Sequence, residues 1–193
     1  MGVKSANSSI FRNISEQMKI SETVLLILSA EIQHNIENID RSAFSRTELF
    51  HIDLFLFSFY SGGMTCFDMA YLTYSQIKKN IITYEKMRTH QTVVVPLISK
   101  SQGVIDRYCN KCYSNYILPL FSEKQQRERI DPLAFKVNQT LDKVRKDIKL
   151  RKKITLSFTQ AAFIARMVEA NVDPFYISQD TGCTMEYICK HFL

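Results

Sequence analysis

Glycine is scarce in this chain, five in 193 residues, so there is little material for a loop that cradles a nucleotide phosphate. No Gly-x-x-x-x-Gly-Lys-Ser/Thr loop, Gly-x-Ser-x-Gly elbow or His-Glu-x-x-His helix occurs, which argues against a conventional NTPase, hydrolase or zinc protease. Long apolar runs are missing too. The longest clusters, Val24 to Leu28 and the stretch around Leu54 to Tyr60, fall far short of the roughly 20 residues that span a bilayer. The start shows no basic segment leading into an apolar run, so no secretory signal is read. Cysteines number five, an odd and scattered set that favours a reducing cytoplasm over a disulfide framework.

Cys109 and Cys112 form a Cys-x-x-Cys pair, but zinc needs two more ligands. Cys66, Cys183 and Cys189 supply no matching pair, and the four histidines show no finger spacing. No metal, cofactor or nucleotide is therefore expected, and the pair reads as two partly buried thiols on a helix.

What is present is a domain's worth of core. Hydrophobic residues make up 46% and charged residues 23%, which excludes a disordered tail, a collagen-like chain and a disulfide-stapled miniprotein. Lys and Arg total 25 against 19 acids, for a net charge of +6 and a pI near 9.0, a surplus that suits a polyanionic partner. It is concentrated in Lys143, Arg145, Lys146, Lys149, Arg151, Lys152 and Lys153, seven cations in eleven residues with Asp147 opposed. The bland alternative is a solvated helix face; the functional one is phosphate contact with release of condensed counterions.

Residues 1–25 are polar and without period, and read as a linker or N-terminal extension ahead of a domain at 26–193. Ile32, Ile36 and Ile39 recur at helical spacing in a helix expected to open near Ser29. Ser45 and Glu48 form a capping box, with Phe44 and Leu49 placed as a hydrophobic staple. The helix they open is apolar on most sides, which makes it the expected buried central helix, stopped at Gly62-Gly63. Thr65 and Asp68 cap a shorter helix through Leu72. Ile81–Met87 and Gln91–Leu97 read as strands of a hairpin, and Ser99 opens a helix through Tyr108. Tyr116–Phe121 reads as extended, and Asp131-Pro132 as a helix start. Three further helices follow: Ser157 to Ala170, one between Asp173-Pro174 and Gly182, and one from Thr184 onward. The fold class is α+β, mainly helical, with a small antiparallel sheet.

Several segments, in order, resemble the catalytic domain of the tyrosine recombinases, the phage-integrase family. Leu54–Tyr60 followed by Ser61-Gly-Gly-Met64-Thr-Cys-Phe-Asp68 is similar to the family's first arginine box. Ile82-Thr-Tyr84, Arg88-Thr89 and Val95-Pro96-Leu97 resemble its lysine-bearing hairpin, and Ile117-Leu-Pro-Leu120 its extended Phe-Pro segment. Ile154-Thr155 up to Ala165 resembles the His-x-x-Arg box, and Ile177-Ser178 to Gly182-Cys183 the segment ending in Gly-His. The likeness runs over roughly residues 28–193, and the separate core-binding domain is not seen in this sequence.

That resemblance implies metal-free phosphoryl transfer on DNA. A tyrosine attacks the scissile phosphate, two arginines and a histidine hold its oxygens, and a lysine protonates the leaving oxygen. Position by position, the first arginine falls on Thr65, the lysine on Arg88, the His-x-x-Arg pair on Ser157 and Gln160, the next histidine on Ala161, the Gly-His histidine on Cys183 and the nucleophile on Phe192. Asp68, a supporting carboxylate, keeps its type. The resemblance therefore implies a DNA-binding protein linked to integration and recombination whose catalytic residues are degenerate, an accessory or regulatory protein with an active recombinase subunit as a possible partner. Phosphate contacts are expected from Lys86, Arg88 and the 143–153 segment. Two alternatives stand beside it: an active recombinase with displaced residues, using Tyr187 or Tyr176 with Arg88 in the clamp, and a protein–protein module that kept the fold.

Overall fold

Ser45 Oγ accepts from the Glu48 amide at 3.3 Å, and the Glu48 carboxylate accepts from the Ser45 amide at 2.8 Å, so the expected capping box sets the start of the molecule's central helix. The computed structural model describes residues 22–120 and 130–193. The capped helix, α2, spans Arg46–Tyr60 and is buried from His51 through Phe59. Its apolar residues leave no polar stripe, and it packs against neighbours on several sides.

Around it lie α1 (Glu22–Glu37), α3 (Cys66–Tyr71), α4 (Ser99–Tyr108), α5 (Ile130–Asp147), α6 (Phe158–Glu169), α7 (Pro174–Thr181) and α8 (Met185–Phe192). A three-stranded antiparallel sheet has the order β1 (Ile77–Lys78), β2 (Ile81–Glu85), β3 (Thr92–Pro96). The β2–β3 register pairs Ile82 with Val95 and Tyr84 with Val93. These four residues are buried while Ile81, Thr83, Thr92 and Val94 face out, the two-residue period of a half-buried sheet.

Buried polar ties help anchor the central helix. Asp53, fully buried, is held by Arg41 at 3.0 Å, Arg107 at 2.6 Å and the Tyr108 hydroxyl at 2.7 Å. His51 Nδ1 lies 2.8 Å from Thr140 Oγ1 on α5, and burial, with Lys136 nearby, holds its imidazole below the usual range.

Departures from expectation are local. The helix carrying Ile32 and Ile36 begins at Glu22, not near Ser29; residues 1–21 lie outside the described part. Ile39 lies beyond its end, yet is buried. β1 was not anticipated, since two residues carry no readable period. The 116–121 piece makes a single bridge, Tyr116 to Thr73, and Phe121 lies outside the described residues. Asp131 stands inside α5, which already includes Ile130. Where sequence signals were strong they hold: Asp173 caps α7 over Pro174, and Gly182 ends it with φ +59.

Candidate nucleic-acid interface and active site

The site is assembled from five places in the chain. Thr65 caps α3: its Oγ1 accepts from the Asp68 amide at 3.1 Å and donates to Asp68 Oδ2 at 2.7 Å. The other Asp68 oxygen accepts from the Met87 amide at 3.1 Å. The first turn of α3 is thereby tied to the end of the β2–β3 hairpin, one residue from Arg88. Arg88 itself is exposed at the hairpin tip, in a turn closed by Lys86 N–H to Gln91 O and His90 N–H to Lys86 O, each 2.9 Å.

Lys86 is a correction. It was expected on the surface as a phosphate contact, but it is 7% exposed and its ammonium donates to the Thr181 carbonyl. The reason is strand phase: Lys86, the residue directly after β2, continues the inward alternation of Ile82 and Tyr84. Burial draws its pKa down, against the opposing pull of Cys183 and Asp68. The alternation of residues 82, 84 and 86 was the signal that could have found this.

Gln160, on α6, donates to the same Thr181 carbonyl at 3.2 Å. Thr181 is buried, and its Oγ1 accepts from the Cys183 amide at 3.3 Å while donating to Ile177 O at 2.6 Å. The Cys183 carbonyl accepts from Ser178 Oγ at 2.6 Å. Burial pushes the Cys183 thiol up, with Lys86 pulling the other way. On α8, Tyr187 and Phe192 have ring centroids 6.1 Å apart in an edge arrangement, and Tyr187 is raised by burial and then by Cys183.

Direct contacts thus join Thr65, Asp68 and the hairpin end beside Arg88. A second set joins Lys86, Gln160, Thr181 and Cys183, and the Lys86 backbone, next to Met87, links the two. Phe192 reaches Cys183 through Tyr187, as all three pack in one cluster around Ile164, Ile177 and Ile188. Ser157 is not drawn in: it is exposed at the start of α6, one turn before Gln160, and makes no side-chain cap bond. Arg166 points elsewhere, over the Phe59 ring at 4.5 Å and toward Gln33. Tyr176 is 61% exposed on α7, against Phe175.

Chemically, the cluster offers one buried ammonium, one carboxylate, one exposed guanidinium, an amide, a thiol and the hydroxyls of Thr65, Thr181, Ser178 and Tyr187. The Gln160 amide and the Lys86 ammonium both converge on a backbone carbonyl, and the Thr65 hydroxyl is committed to Asp68. Phe192 carries no hydroxyl.

The basic segment divides in two. Lys143 pairs with Glu48 at 3.0 Å and lies over the Phe44 ring at 4.9 Å, while Arg145 and Lys146 both pair with Asp142. Lys149, Arg151, Lys152 and Lys153 are exposed and make no ion pair among the described residues. They occupy the loop that feeds Ser157 and α6, and Asn138 fastens that loop by accepting from the Leu156 amide at 2.8 Å. Among the described residues no group of three or more His, Cys, Asp or Glu could hold a metal, and no helix is long and apolar enough to cross a membrane.

No protein-family model matches the chain, and no curated protein does. Solved structures do. The Tn1549 transposon integrase in complex with transposon right end DNA superposes with a TM-score of 0.62 at 12% identity, over 85% of this chain and 60% of that one. The XerA recombinase gives 0.58 at 13% identity, over 83% of this chain and 57% of that one. The lambda integrase catalytic core gives 0.54 at 13% identity, over 79% of this chain and 88% of that one. This chain has the catalytic-domain fold of the tyrosine recombinases, and it spans about 60% of the length of the Tn1549 integrase chain.

Proposed function

We propose that this chain is a DNA-binding protein built on the recombinase catalytic fold that does not itself cut DNA, and that it serves integration or excision as an accessory subunit or as a competitor for a recombination site. Residues 26–193 are read as the catalytic-type domain. The observation that carries the proposal is Phe192. It is the position matched to the nucleophile, it packs beside Tyr187 and Cys183, and it offers no hydroxyl.

Further support comes from the groups around it. The matched arginine positions are Thr65 and Gln160, and each is hydrogen-bonded to the protein itself. Loss of a single oxyanion-type donor typically costs about a hundredfold to a thousandfold in rate. Phosphate contacts are assigned to Arg88, Lys149, Arg151, Lys152 and Lys153, with Lys143, Arg145 and Lys146 partly neutralised by acids.

One observation favours a second reading, an active enzyme with a displaced nucleophile: Tyr187 stands next to Phe192. Its raised phenol pKa works against that, because ionisation is harder than for a free tyrosine.

The test uses labelled duplex DNA, intact or with a nick that traps a covalent intermediate, over a salt series. The expected result is a non-covalent complex that weakens steeply with salt and no adduct that survives denaturing electrophoresis. An adduct mapped to Tyr187 would establish the second reading. Absence of binding at low salt would leave the protein–protein module.

A further inference from the structure

Cys109 and Cys112 flank a single 3-10 turn, Cys109–Lys111, closed by the Cys112 amide donating to the Cys109 carbonyl at 3.5 Å. In a 3-10 turn the residues at i and i+3 eclipse and rise about 2.0 Å per residue, which puts these two α-carbons about 6 Å apart with side chains on one side. That lies inside the roughly 4.4–6.8 Å range of disulfide-bonded cysteines. Both thiols are free. Cys109 is exposed and Cys112 half-buried, and each Sγ is turned back onto a carbonyl at the end of α4, Cys109 to Asp106 at 3.3 Å and Cys112 to Tyr108 at 3.2 Å. Lys111 stands between them, its ammonium over the Tyr108 ring.

We propose that Cys109 and Cys112 are a reversible dithiol–disulfide site whose co-reactant is a small-molecule disulfide of the glutathione class. The exposed Cys109 thiolate attacks one sulfur of the co-reactant, the S–S bond breaks and one thiolate leaves, giving a mixed disulfide on Cys109. Cys112 loses its proton to solvent and attacks Cys109 Sγ, expelling the second thiolate. Two protein thiols are oxidised and one small-molecule disulfide is reduced to two thiols. Burial, reinforced by the neighbouring Cys109, holds the Cys112 thiol pKa up, in keeping with its role as the second, resolving thiol and not the first attacker. A transient disulfide of this kind is compatible with a reducing compartment.

The turn sits where the chain leaves α4 for the segment that meets Thr73 and Leu72, through the Tyr116–Thr73 bridge and the Ile117 amide on the Leu72 carbonyl at 3.0 Å. Closing the bond therefore fixes the junction behind α3, whose other end carries Thr65 and Asp68.

The experiment incubates the folded full chain with oxidised glutathione, blocks remaining thiols, denatures, and digests after lysine. Lys111 separates the two cysteines, so a bond between them holds two peptides together. The expected result is joined peptides in the parent protein, released by dithiothreitol, with glutathione retained on Cys109 only in Cys112→Ser. Exposed Cys189 serves as the reactivity control. The proposal fails if Cys189 reacts while Cys109 and Cys112 stay as blocked thiols, or if the parent protein keeps glutathione on Cys109 with Cys112 free.

Discussion

Lys86 and Gln160 meet at one oxygen, the Thr181 carbonyl, though one comes from the hairpin and the other from α6. Two glycines make that meeting sterically feasible. An added β-carbon on Gly182 would come within 2.6 Å of Lys86 Cδ, and one on Gly63 would run into the Gln160 backbone; both glycines have positive φ.

The two should respond differently to alanine. Gly182→Ala meets the Lys86 stem, a side chain that can shift where backbone cannot, so its cost is the left-handed backbone, about 1–2 kcal/mol, with a weakened Lys86 contact to Thr181 added. Gly63→Ala adds overpacking against backbone that cannot move, for a total of about 3 kcal/mol or more. Urea midpoints of the two variants should fall in that order; equal midpoints would refute the distinction between stem and backbone.

Asp53 gathers Arg41, Arg107 and Tyr108 around one buried carboxylate. Asp53→Ala should destabilise by about 3 kcal/mol, the lower end for breaking a buried ion pair, because both arginines are partly exposed and can turn to water. The double variant Asp53→Leu with Arg107→Leu should recover part of that loss in the same unfolding assay.

Glu48 carries the pH dependence of the central helix start. The Ser45 amide, then the Lys143 ammonium, holds its carboxyl down to about 2, against an ordinary value of 4.5. Because the folded value is the lower one, its contribution is present above pH 4.5 and is lost as pH falls toward 2. The carboxyl is only partly buried, so the amplitude is small. Glu48→Gln should be less stable at pH 7 and show a flatter stability curve between pH 4.5 and 2 by thermal unfolding.

For DNA binding, removing charge from the loop and from the helix should give different results. The triple change Arg151→Ala, Lys152→Ala, Lys153→Ala should weaken duplex binding uniformly across sequences and flatten the log Kd against log salt slope by about 0.9 for each lost phosphate contact. Lys143→Ala with Lys146→Ala should alter the slope less and the stability more, because those ammonium groups already face Glu48 and Asp142.

Elements with chemical punctuation were legible in the sequence. Ser45 with Glu48, Thr65 with Asp68, and Asp173-Pro174 through Gly182 each name a hydrogen bond that has to form for the helix end to be satisfied, and each forms. The start of α1 was harder to read: Ser21 precedes Glu22 in the sequence, but Val24 stands where a capping box needs Glu or Gln. At the site, the hairpin and the Gly182-Cys183 junction were readable as segments, but the inward phase of Lys86 was passed over in favour of its charge. The Thr181 carbonyl was invisible: a backbone acceptor has no sequence signature, and its role depends on three segments meeting. The pairing of Lys143 with Glu48, 95 residues apart, likewise exists only once α5 lies along α2.

That last pairing changes what a passing polyanion would sense. Three of the seven cations in 143–153 hold α5 to α2 or stitch α5 to itself, so they act as mortar between helices. The trailing four carry charge that no acid among the described residues offsets, on a loop that leads directly into the helix bearing Gln160. The attraction is thus narrower than the composition implies and is concentrated beside the start of α6.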